Sequence, residues 1–166
     1  PYEHIVFQYS LFVIKTPGDQ PEHFDCLLTN NSDPAPEIVP HLLNNLSPTG
    51  SVVVWNQSFE AHRNKDLAVH CPDYVDTLAA INTRLYDLML IFKDGHYVHP
   101  DFKGSASLKA VLPVICPNLQ YDNLAIRDGT QAMLTWYQFQ QGKIPQGEHE
   151  SVRTEMRNYC KLDTYG

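Results

Sequence analysis

The chain lacks paired cysteines at metal-knuckle or redox spacing: Cys26, Cys71, Cys116 and Cys160 lie far apart and form no C-x-x-C. That excludes a zinc knuckle and a thioredoxin-type motif. It also lacks a secretory segment, so reduced thiols and a cytoplasmic location are expected. No apolar run approaches the ~20 residues that cross a bilayer, which leaves no membrane partner. Positive charge is scarce. Twelve Lys and Arg against 19 Asp and Glu give a net charge of −7, which disfavours non-specific binding of nucleic acid by phosphate neutralisation alone. A local acidic cluster holding cations remains compatible with this balance. There is no internal repeat and no low-complexity tract. An initiator Met is missing too, and the chain stops at Gly166 directly after a strongly patterned helix. The expectation is a fragment of a longer protein, truncated at its N-terminus and cut close after its last motif.

What is present suits one α/β domain over residues 1–166, with a hydrophobic fraction of 43% that is ordinary for a globular core. His4 to Ile14 is rich in Val, Ile, Phe and Tyr and ends before Pro17-Gly18, so it reads as a strand followed by a turn. His23 to Thr29 offers an antiparallel partner. After a loop from Asn30 through Asn31 to Pro34, Ile38, Leu42, Leu43 and Leu46 recur at helical spacing. Ser51 to Glu60, SVVVWNQSFE, then reads as a strand covered on both faces that opens into a helix from Phe59 to Val69. Tyr74 to Ile81 is a further helix, and a short strand near Leu85-Tyr86 passes into a helix at Asp87. A polar, aromatic loop spans Asp94 to Gly104, and Ser105 or Ser107 caps a helix that Pro113 bends or ends. Helices over Gln131 to Gln140 and Glu148 to Thr164 complete the chain.

Two short patterns carry the chemistry. Asn56-x-x-Phe59-Glu60 lies at the carboxyl end of a strand, where open α/β sheets gather ligands. Tyr159-x-x-x-Asp163 lies on the last helix, and the apolar stripe Val152, Met156, Tyr159, Cys160 continues onto Asp163. Residues at i and i+4 share a helix face, so phenol and carboxylate point the same way, toward whatever the stripe packs on. Each acid also has a plain alternative: Glu60 as a first-turn acid favoured by the helix dipole, and Asp163 as a frayed helix-end residue at the surface.

In this order the patterns resemble those of the DEDD superfamily of 3′-5′ exonucleases, tyrosine subclass, whose fold is ribonuclease H-like. Asn56, Phe59 and Glu60 match its second motif, with Glu in place of the usual Asp; Tyr159 and Asp163 match its third. More specifically, Tyr2 to Ser10, WNQSFE and His99 to Pro113 resemble a bacterial domain family of unknown function often joined to a RecB-type nuclease. The resemblance implies a mixed sheet flanked by helices, lacking here its first, central strand, which would carry the Asp-x-Glu of the first motif. Such a gap should leave the sheet interrupted, rearranged, or completed by a neighbouring chain as a dimer through the exposed edge.

It further implies Mg²⁺ or Mn²⁺ in a two-metal site, with carboxylates holding hard cations about 4 Å apart. Glu60 and Asp163 would be ligands, and Tyr159 would orient the attacking water rather than deprotonate it, given a phenol pKa near ~10. The substrate would be a DNA or RNA 3′ end, with this fragment alone inactive. The alternative is a non-catalytic module that binds nucleic acid or a partner. Asn56 would brace the strand-end turn. Lys103, Ser105, Ser107 and Lys109 are candidates for phosphate contacts at a helix start, against a reading as a capped, solvated terminus. Asp87 is either a further site acid or an N-cap. His96 and His99 form an H-x-x-H pair read more readily as surface residues, and Tyr97 and Phe102 either stack on bases or cover a core edge.

Overall fold

The β-branched and aromatic residues near the start of the chain form a hairpin in the computed structural model, which describes residues 4–30 and 32–166. Tyr2 and Glu3 of the first resembling stretch, and Asn31 of the expected loop, lie outside the described residues. Strands β1 (Gln8–Val13) and β2 (Glu22–Leu27) pair antiparallel with Ser10 opposite Asp25. Helix α1 (Ala35–Asn45) starts behind Pro34, whose fixed φ suits a helix entrance, and buries Ile38 and Val39 completely. Full burial of side chains of this size contributes about 2 kcal/mol each.

The chain divides into two compact units, one built on residues 5–47 and 121–165 and the other on residues 48–120. The first holds the hairpin, α1 and the last two α-helices. Within it, α6 (Gly129–Gln140) is capped by Asp128, which accepts from Gln131 N at 2.8 Å, while Gln131 reaches back to Arg127 N at 2.8 Å. Trp136 stacks on Phe7 and donates its indole N–H to Leu28 O at 2.8 Å. Helix α7 (His149–Tyr165) buries Met156 and Tyr159. Gln8 donates to Met156 O at 3.1 Å and Arg153 to Thr29 Oγ1 at 2.8 Å, so the hairpin and α7 share polar as well as apolar contacts.

The second unit runs β3 (Val52–Val54), α2 (Gln57–His70), α3 (Val75–Asn82), β4 (Leu85–Asp87), α4 (Met89–Lys93) and α5 (Leu108–Ile115). Strands β3 and β4 are parallel, with Val53 opposite Tyr86, and α2 and α3 make the crossover between them. Leu67, Cys71, Leu78, Ile81, Phe102, Val111 and Leu112 are buried in this unit. Among the described residues, the strands form two separate pairs rather than one sheet.

One expectation is corrected and another narrowed. Strand β3 is not covered on both faces: Val53 is 60% exposed and its neighbour Tyr86 54%, and among the described residues the sheet has only two strands. Of the two alternatives for Pro113, bending or ending its helix, ending is overturned, since α5 continues to Ile115 and Cys116 N still bonds Leu112 O at 2.8 Å. Pro113 N cannot donate a helix bond of its own. No helix among the described residues is long and apolar enough to cross a membrane.

Candidate functional site

At the end of β3 the backbone turns through Asn56, which has φ 77 and ψ 80, a left-handed conformation that Asn tolerates better than other side chains with a Cβ. Its Oδ1 accepts from Ser58 Oγ at 2.8 Å and from Phe59 N at 3.3 Å, so Asn56 is the N-cap of α2. Glu60 follows, half-buried in the first turn. The turn is fastened from β4. Asp87 Oδ1 accepts from Asn56 N at 3.0 Å and Met89 N at 3.1 Å, and Oδ2 accepts from Gln57 N at 2.9 Å. Leu88 N also donates to Val54 O at 2.9 Å. Asp87 therefore does more than cap a helix: one carboxylate satisfies three backbone donors where two parallel strands end. Asp87 lies opposite Val54 in the register, and its place at the end of a short strand is the part of this brace that the sequence signals.

In the other unit, Tyr159 and Asp163 do share a face of α7. Tyr159 donates to Asp163 Oδ2 at 3.2 Å, and Tyr121 donates to Oδ1 at 2.7 Å. Both phenols are buried, at 7% exposure for Tyr121 and 9% for Tyr159, but Asp163 itself is exposed. The expectation of a buried carboxylate is corrected: the apolar stripe runs out one turn before the helix ends, and the two tyrosines reach out to the acid. Burial, reinforced by the neighbouring Asp163 carboxylate, pushes both phenols well above the usual tyrosine range. Phenols held protonated donate hydrogen bonds and do not take protons from water. Tyr121 lies in a turn-rich stretch with no periodicity, and nothing in the local sequence marks it.

The weaker candidates separate. Lys103, Ser105, Ser107 and Lys109 are all exposed. Ser107 is the N-cap position of α5 but makes no side-chain cap bond; Ser105 Oγ donates to Ser107 Oγ at 3.1 Å and accepts Ser107 N at 3.2 Å. His99 accepts from Asp101 N at 3.2 Å, which caps the 3-10 turn Pro100–Phe102. Phe102 is buried among Phe92, Tyr97 and His99, so it covers a core edge, while Tyr97 remains 47% exposed.

Glu60 belongs to the unit of residues 48–120 and Asp163 to the other. Among the described residues, no group of three or more His, Cys, Asp or Glu side chains is arranged to hold a metal ion. Two carboxylates fall short of the donor set that a pair of hard cations needs, so these residues alone do not fit the two-metal centre that the resemblance implies.

Uncharacterized protein MG366 of Mycoplasma genitalium is 27% identical over 181 residues, an alignment covering 98% of this chain and 27% of that protein. The chain thus spans about a quarter of the length of this curated relative. No solved structure matches. The family described as "Domain of unknown function (DUF2779)" matches residues 1–107, which takes in the hairpin, the Asn56 turn and Asp87, and the chain belongs to that family.

Proposed function

We propose that the chain is a 3′-5′ exonuclease domain of ribonuclease H-like fold within a longer protein, hydrolysing phosphodiester bonds at DNA or RNA 3′ ends. The observation that carries this reading is the Tyr159-x-x-x-Asp163 pattern, with the carboxylate gripped by two protonated phenols at an exposed position. Asn56-x-x-Phe59-Glu60 at the carboxyl end of a parallel strand supports it. Asp163 would act as an oriented acceptor at the reacting group, and Tyr159 would help fix its direction. Glu60 would supply a second carboxylate, and Mg²⁺ or Mn²⁺ is the cofactor the resemblance implies. Two carboxylates do not complete its donor set. Further acids would come from outside these residues.

The test is the full-length protein with 5′-labelled single-stranded DNA and RNA oligonucleotides, in Mg²⁺ and in Mn²⁺. Products shortened stepwise from the 3′ end are expected; both labels remaining at full length would refute the activity. A second reading is a non-catalytic module for nucleic acid or for a RecB-type nuclease domain in the same chain. The exposed pair Val53 and Tyr86 favours it, as an apolar patch on a strand face suits a partner. Retention of oligonucleotide or of the nuclease domain without cleavage would select it.

A further inference from the structure

Tyr121 stands outside both motifs, 42 residues before Asp163 in sequence, yet it makes the shorter of the two bonds to that carboxylate, 2.7 Å against 3.2 Å from Tyr159. That length is characteristic of a hydroxyl donating to a charged oxygen. A buried phenol needs a partner. Here it uses an exposed acid that water could otherwise solvate, so the pairing holds the acid as much as it satisfies the phenol.

A carboxylate one residue before Thr164 and two before Tyr165, at a helix end, keeps two side-chain torsions to settle. The bond from Tyr159 comes from the same helix, one turn back, and would move with that helix as it frays. Tyr121 approaches from a separate loop and takes the other oxygen. The two ring centroids are 6.3 Å apart and the ring planes meet at 52°, so the rings are not stacked and each fixes its own oxygen. One bond would leave the carboxylate swinging on an arc; two, on two oxygens, set its orientation.

We infer that Tyr121 is a positioning residue for Asp163, setting the direction in which the carboxylate presents its remaining lone pairs to solvent. This rests on the reading of Asp163 as a reacting carboxylate of a nuclease. The plain rival is that Tyr121 merely ties its loop to α7.

Tyr121→Phe in the full-length protein removes the hydroxyl and keeps the ring, and an unchanged circular dichroism spectrum confirms that it folds. Nucleotide release from a labelled oligonucleotide is expected to lose ~10-fold or more in kcat, with KM unchanged, as for a reacting group held slightly off its direction. In an Asp163→Asn background the same change should cost nothing further. If Tyr121→Phe leaves kcat intact while Asp163→Asn abolishes cleavage, the hydroxyl is a structural tie and the inference falls while the nuclease reading stands. If Asp163→Asn cleaves as fast as the wild type, the role of Asp163 falls and takes the inference with it.

Discussion

Asp87→Ala would remove the acceptor of three backbone N–H groups at once, those of Asn56, Gln57 and Met89, at 3.0, 2.9 and 3.1 Å. Bonds to a charged acceptor contribute ~1.5 to 3 kcal/mol each when sheltered. Asp87 is half-buried and Gln57 exposed, so water can take over part of the load. About 1 kcal/mol for each of the two half-sheltered bonds, and less for Gln57, gives a loss of about 2 to 3 kcal/mol. With a urea slope of ~1 to 3 kcal/mol per molar, the midpoint should fall by about 1 M. The two tryptophans make the assay specific, since Trp55 belongs to the unit held by Asp87 and Trp136 to the other. The Trp55 indole N–H signal, followed by NMR through a urea titration, should vanish about 1 M earlier in the variant. Asp87→Asn keeps one acceptor oxygen and should lose roughly half as much. An unchanged Trp55 midpoint would refute the assignment of Asp87 as the brace of the strand ends.

Other outcomes follow from single positions. Asn56→Ala loses the cap of α2 and forces a left-handed backbone on alanine, so thermal melting should report a cost of about 2 kcal/mol, whereas Asn56→Gly relieves the backbone and should cost less. His23 has its pKa held below the ordinary imidazole value of 6.5 by burial first and Lys161 second. The unfolded chain therefore takes up that proton first, and stability should drop as pH falls below about 6.5. His23→Gln should make this slope shallower in urea midpoints measured from pH 7.5 to 5; an identical slope would show that His23 contributes nothing. At alkaline pH the sign is opposite for Tyr121 and Tyr159, whose raised pKa values let the unfolded chain ionise first near ~10. Replacing both by Phe should leave the phenolate absorbance that develops up to about pH 11 unchanged, because neither contributes to it in the folded protein.

The sequence carried the local order of the chain well, for reasons visible at particular residues. A stretch rich in Val, Ile, Phe and Tyr marks β1, and Pro17-Gly18 marks the turn after it. Ile38, Leu42 and Leu43 mark α1, and Asp128-Gly129-Thr130 announces α6 because an Asp N-cap is a local signal. What it could not carry is anything decided by long-range pairing. Four hydrophobic residues in a row at Val52 to Trp55 look the same whether a strand is covered on both faces or, as here, leaves Val53 open. The stripe of α7 continues onto Asp163 by spacing, but spacing cannot tell that the stripe's burial stops a turn earlier. Tyr121 is the clearest case: its contact to Asp163 spans 42 residues, and no neighbour in the chain hints at it. Asp87 was half legible, since an acid at the end of a short strand is a familiar cap, but its bonds to Asn56 and Gln57 require β3 and β4 to lie side by side.

We propose that the acids of the two motifs serve phosphodiester hydrolysis. The most direct measurement is the rate of nucleotide release from a 5′-labelled single strand by the full-length protein, alongside its Asp163→Asn and Glu60→Gln variants. Stepwise shortening from the 3′ end by the wild type and a loss of at least ~100-fold in each variant are expected. Cleavage by either variant at the wild-type rate, or none by the wild type in Mg²⁺ and in Mn²⁺, would contradict the proposal.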